Sequence, residues 1–130
     1  MILGIGIDQV DTGRLRDVLA RRPERAAARL FTPGERGVCG TRRREAECLA
    51  ARFAAKEAFV KALGTGLRGG LRWTDIEVRT GDAGRPSIRL AGAAERRFRE
   101  LGGRMIHLSL THDGGQALAF VVLEGEPPRA

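Results

Sequence analysis

Asp8, Lys56, Glu57, Lys61 and His112 are the side chains whose types and spacing could do chemistry in this chain of 130 residues. Lys56, Glu57 and Lys61 fall in LAARFAAKEAFVKALGTG, residues 49–66. On a helix of 3.6 residues per turn they share one arc of about 140° with Phe53 and Val60. Charges among apolar side chains are costly unless paired or bound to a ligand, so the arc reads as a polar site in apolar walls. The same spacing also makes Glu57 and Lys61 an ordinary i, i+4 pair, contributing about 0.2 to 0.5 kcal/mol. Asp8 ends an N-terminal strand, where it is either a ligand group or a cap for the next element. Two well-separated carboxylates with cations beside them suit Mg²⁺, which takes one or two protein carboxylates and completes its shell with waters and substrate phosphates. That chemistry is phosphoryl transfer or phosphate-ester cleavage. His112 could serve as a base or phosphate ligand, or simply shape a turn. The sequence holds no Walker A loop, kinase signature or G-x-G-x-x-G.

The elements that must position these groups can be read from pattern. In the opening strand Leu3, Ile5 and Ile7 share one face, expected to be core. The other carries Gly4, Gly6 and Asp8, stripped as if a backbone or ligand comes close. A short helix starts at Asp11 or Thr12, with Leu15, Val18 and Leu19 inward. Thr32, Pro33 and Glu35 form a capping box ahead of another short helix ending near Gly40. Residues 42–63 then make a long central helix, apolar nearly all round and so buried, stopped by Gly64-Thr65-Gly66. Next comes a hairpin with Trp73, Ile76, Val78, Ile88 and Leu90, its return strand opened by Pro86. Residues 93–101 form an amphipathic helix closed by Gly102-Gly103. Two final strands, 105–111 and 116–124, are joined through His112-Asp113-Gly114-Gly115, and the second is apolar on both faces and therefore central. His107 reads as structural.

Composition sets limits. The length gives one domain over 1–124 with residues 125–130 as a disordered tail. The N-terminus MILGIGID lacks a basic n-region and a cleavage site, and no apolar run reaches roughly 20 residues, so a soluble, cytoplasmic protein without a membrane partner is expected. Cys39 and Cys48 are read as reduced thiols, too few for a disulfide framework. There are 23 Lys and Arg against 16 Asp and Glu, a net charge of +7, and only two of the 23 are lysines. This balance suits an anionic partner. Its densest part runs from Thr12 to Arg29, with six arginines and two acids; this is either a solvated face or a docking surface for an acidic protein. The segment has no aromatic residue on which single-stranded nucleic acid could stack, which makes nucleic acid the weaker choice of partner.

Gly4-Ile-Gly-Ile-Asp8, Arg52-Phe-Ala-Ala-Lys-Glu-Ala58, Lys61-Ala-Leu-Gly-Thr-Gly66 and Ser109-Leu-Thr-His-Asp113 together resemble the motifs of the holo-acyl-carrier-protein synthases, the small 4′-phosphopantetheinyl transferases. The resemblance runs from residue 2 to 124 with the motifs in order. It implies an α+β fold, a mainly antiparallel sheet packed with a long central helix. It also implies transfer of 4′-phosphopantetheine from coenzyme A to a serine of apo acyl carrier protein, releasing adenosine 3′,5′-bisphosphate and supporting fatty acid, or alternatively polyketide, biosynthesis. Asp8 and Glu57 would hold Mg²⁺. Glu57 would take the serine proton, directly or through a water, and Lys61 would donate to the phosphates. Arg52 and His112 would contact the 3′-phosphate, Gly64 and Gly66 would let backbone amides approach the pyrophosphate, and Pro86 would line the adenine pocket. Lys56 joins the coenzyme A set as the neighbour of Glu57. Arg14, Arg21, Arg22 and Arg25 become the docking face for the acidic carrier. The resemblance further implies a homotrimer with active sites between subunits. Gln9 and Gly13 depart from the family pattern.

Overall fold

The computed structural model describes residues 1–129. In chain order the elements are β1 (Ile2–Asp11), α1 (Thr12–Arg21), α2 (Pro23–Leu30), α3 (Pro33–Gly40), α4 (Glu45–Leu63), β2 (Ile76–Thr80), β3 (Pro86–Leu90), α5 (Gly92–Glu100), β4 (Gly103–Asp113) and β5 (Gln116–Gly125). Single 3₁₀ turns at Trp73–Asp75 and Asp82–Gly84 flank β2. Two antiparallel sheets result, one ordered β1-β5-β4 and the other the hairpin β2-β3. The architecture is α+β with a long central helix, as expected.

Central placement of β5 stems from its sequence, since Ala117, Ala119, Val121 and Leu123 are fully buried on one face while Leu118 and Val122 are partly buried on the other. Helix α4 lies on the buried face. Leu49, Ala50, Ala54, Ala55, Ala58, Phe59, Val60, Ala62 and Leu63 are buried along it, because the sheet, α1, α3 and β2 enclose it. Gly64 ends it in the left-handed region at φ 80°, where a side chain would be strained. The capping box at Thr32 and Glu35 forms as read.

The two faces of β1 are the reverse of the expectation. Ile5 and Ile7 are 60% and 55% exposed, and the glycine face packs on α4. A Cβ at Gly4 would overlap the Ala62 carbonyl oxygen, and one at Gly6 the Ala58 carbonyl oxygen. Backbone touches backbone here, so bulk was the wrong guide to which face is core.

Other departures are local. The first basic segment holds a second helix after the expected short one, because Pro23 cannot continue α1 and instead opens α2. Val18 is exposed and only Leu15 and Leu19 turn inward. Trp73 stands in a 3₁₀ turn, its ring 5.1 Å from that of Phe53. Cys39 and Cys48 form a disulfide: α3 turns into α4 so tightly that their Cα atoms lie 5.5 Å apart, within bridging range. Strand β5 reaches Gly125, and the Glu126 amide donates to the Gly102 carbonyl, so the chain is tied beyond the expected boundary. Residues 127–129 have no regular structure, and Ala130 lies outside the described residues.

The glycine contact yields a direct test. Gly6→Ala should destabilise the protein by about 3 kcal/mol in urea denaturation, the cost of overpacking against backbone that cannot yield. Gly37→Ala on α3, with nothing within 4 Å of the added Cβ, should instead gain about 0.5 kcal/mol.

Candidate active site

Asp8 comes after Gly4 and Gly6 on the inward face of β1, so its carboxylate is delivered to the flank of α4. Its Oδ1 accepts from Lys61 Nζ at 2.8 Å, and the same ammonium donates to the Ile7 carbonyl at 3.1 Å. Its Oδ2 is buried and has no hydrogen-bond partner. Glu57 lies one helical turn before Lys61, half-buried. Burial, and then the neighbouring Asp8 carboxylate, push its pKa up to about 7, Lys61 offsetting part of the rise. Asp8 correspondingly raises the Lys61 pKa, chiefly by hydrogen bonding.

An orphaned buried carboxylate oxygen beside a carboxyl group that resists ionising is the signature of a place built for positive charge. No group of three His, Cys, Asp or Glu side chains converges among the described residues. Two carboxylates can still hold a hard cation whose remaining ligands are waters or phosphate oxygens.

A second cluster stands apart. Arg52, Pro86 and His112 line a cleft of about 960 Å³, together with Arg42, Arg43, Arg44, Thr80 and Arg85. Arg52 is 5% exposed. Its Nη2 donates to Thr80 Oγ1 at 3.2 Å and its Nη1 to Cys48 Sγ at 3.1 Å, while Nε is buried without a partner. Burial lowers its pKa, and the charge of Glu35 opposes that. His112 is an exposed residue of β4, not of the turn; the turn is Gly114-Gly115, both at positive φ. A wide cleft ringed by arginines is chemically suited to a phosphorylated ligand.

Gly64 and Gly66 are exposed at positive φ in the loop just after Lys61. Arg14 and Arg21 on α1, Arg22 between the helices and Arg25 on α2 are all exposed, and none forms an ion pair among the described residues. Gln9 donates to Gln116, which donates to Asp11, the N-cap of α1.

Lys56 is the correction. It does not share the Asp8–Glu57 site, because its ammonium is sealed in the core against Glu35 at 2.6 Å. Sequence reasoning misses this partner: Glu35 reads as a capping residue only, and nothing local announces a second bond from its carboxylate. It also misses the arginines flanking the cleft, although the run Arg42-Arg43-Arg44 just before α4 is a visible signal.

The sequence profile of the 4′-phosphopantetheinyl transferase superfamily matches residues 4–121. Fold and site together therefore define a transferase of that class. The holo-[acyl-carrier-protein] synthase of Trichlorobacter lovleyi is 53% identical over 124 residues, covering 95% of this chain and 98% of the relative. The crystal structure of the synthase from Neisseria meningitidis superimposes with a TM-score of 0.88 at 35% identity, covering 95% of this chain and 99% of that one. The synthase from Bacillus anthracis, solved in complex with CoA (3′,5′-ADP), gives 0.80 at 37% identity over 97% and 99%. The chain belongs to the holo-acyl-carrier-protein synthase family.

The raised pKa of Glu57 fixes the sign of a pH effect. Between its ordinary value of 4.5 and about 7 the folded protein binds the proton more tightly than the unfolded chain, so stability falls as pH rises through that window. Metal-free Glu57→Gln should therefore be more stable than the parent at pH 8. The gain should be about 1 kcal/mol after allowance for its partial exposure, with a flatter profile from pH 5 to 8 in thermal melts with EDTA.

Proposed function

We propose that this protein transfers 4′-phosphopantetheine from coenzyme A to the serine hydroxyl of an apo acyl carrier protein, in the cytoplasm and in support of fatty acid or polyketide biosynthesis. The observation that carries the reading is the Asp8–Glu57–Lys61 cluster, with its orphaned Asp8 Oδ2. Family membership and the coenzyme A ligand of the Bacillus anthracis relative support it.

Asp8 and Glu57 would hold Mg²⁺. When bound, the ion neutralises charge on the pyrophosphate of coenzyme A. Lys61, pinned by Asp8 and Ile7, presents its ammonium to the phosphates and stabilises the charge that grows on the leaving group. The serine oxygen forms a bond to the β-phosphorus as the P–O bond to adenosine 3′,5′-bisphosphate breaks. Glu57, directly or through a water, receives the serine proton. Arg52 and His112 hold the 3′-phosphate in the arginine-ringed cleft, Pro86 borders the adenine, and the loop at Gly64 and Gly66 offers its backbone to the pyrophosphate. Arg14, Arg21, Arg22 and Arg25, exposed and without an ion pair among the described residues, face the acidic carrier.

Two features support a homotrimer with shared sites. The β1-β5-β4 sheet leaves Ile5, Ile7, Met105 and Phe120 exposed on its outer face, which a second copy would cover. The carboxylate cluster and the 3′-phosphate cleft of one chain also do not line a common cavity, so a neighbour's cleft can complete the site.

The test is intact-mass spectrometry of an apo carrier incubated with this protein, coenzyme A and Mg²⁺. The carrier should gain one phosphopantetheine group, the gain should vanish with EDTA, and Glu57→Gln should lose at least about a hundredfold in rate. A folded protein that modifies no carrier in a panel would refute the assignment. In the same assay Arg14→Glu should raise the carrier KM about tenfold and leave the coenzyme A KM unchanged.

A further inference from the structure

The geometry points to Glu35 and Lys56 as a positioning pair that sets the rotation of α4 about its own axis, and through it the aim of Arg52, Glu57 and Lys61. The inference rests on the transferase reading.

Both side chains are completely sealed from solvent. Lys56 Nζ lies 2.6 Å from Glu35 Oε1 and donates to the Leu30 carbonyl at 2.8 Å and the Trp73 carbonyl at 3.1 Å, which uses all three of its protons. Glu35 Oε1 also accepts from the Thr32 amide at 2.9 Å, and Oε2 from the Val78 amide at 2.8 Å. One ion pair thus joins α4 to α3, to β2, to the end of α2 and to the turn before β2.

Such a pair is a poor device for stability. Desolvation of two charges roughly cancels their attraction, and apolar replacements of similar volume are often as stable or more so. It does provide direction, and α4 needs direction. Five of the eleven buried residues of α4 are alanines, Ala50, Ala54, Ala55, Ala58 and Ala62, which give fewer ridges to lock its roll against neighbours than larger side chains would. Lys56 stands four residues after Arg52, immediately before Glu57 and five before Lys61. Fixing its azimuth on a rigid helix fixes all three, in the carboxylate cluster and in the arginine-ringed cleft of the same chain. Glu35 adds an electrostatic link, since its charge also reaches Arg52 and favours the charged guanidinium.

The experiment compares the parent with Glu35→Gln/Lys56→Met, which removes both charges of the pair and leaves neither partner as an unpaired buried ion. Folding is checked by circular dichroism, Mg²⁺ binding by calorimetry with coenzyme A present, and kcat and KM by the mass assay. The calorimetry needs no carrier, so a failure of the pair is separable from a failure of the transferase reading, which the parent's own assay decides. A positioning role predicts at least an approximately tenfold loss in both Mg²⁺ affinity and kcat in a folded variant, with the carrier KM within about twofold of the parent. A folded double variant with parental Mg²⁺ affinity and kcat would overturn the inference and leave the pair purely structural. Where the double variant fails to fold, Lys56→Arg decides by the same two constants. A planar guanidinium cannot sit in the ammonium's three-acceptor nest, so both must move, and parental values refute the proposal.

Discussion

Everything at the site depends on one approach of backbone to backbone, Gly4 and Gly6 of β1 against the carbonyls of Ala62 and Ala58 on α4. A strand and a helix carrying ordinary side chains would stand several ångströms further apart. With the side chains removed, the next inward residue of the strand, Asp8, meets the helix one step beyond the contact, where Glu57 and Lys61 project. Two carboxylates are thereby forced together in a half-buried position. The result is an elevated Glu57 pKa and an Asp8 oxygen without a donor. Two carboxylates so placed leave the site electrostatically unfinished, which suits it to a cation and phosphates.

Both lysines of the chain lie on α4, five residues apart, and they have opposite fates. Lys61 stays exposed and pairs with Asp8 at the edge of the site. Lys56, about 140° round the helix by the 3.6-residue period, is turned into the core and consumed by Glu35 and two carbonyls. One charge is available for chemistry and the other for orientation. Between them Glu57 stands on a helix held from both sides.

Periodic features were legible in the sequence: the buried α4, the central β5, the capping box at Thr32, and the exposed arginines of α1 and α2. The carboxylate pairing of Asp8 with Glu57 was legible only through motifs, because no local pattern tells which strand will touch which helix. The inverted faces of β1 show why bulk misleads. Isoleucines signal core by hydrophobicity, but here glycine was the buried type, and the isoleucines belong to a face left uncovered in one chain. The Cys39–Cys48 bond and the Glu35–Lys56 pair were hidden for a related reason. Each links residues on different elements, 9 and 21 positions apart (56 − 35), and depends on a tertiary turn that spacing does not encode. Placing Lys56 in the same arc as Glu57 was sound helical geometry, but a broad arc spans two environments.

The most direct test of this account is a ¹³C-carboxyl NMR titration of Glu57 in the folded protein, first metal-free and then with Mg²⁺ and coenzyme A. The structure predicts a metal-free midpoint at about 7 that moves well below this when the cation is added. A midpoint at the ordinary 4.5, unmoved by Mg²⁺, would show that Asp8 and Glu57 do not form one site.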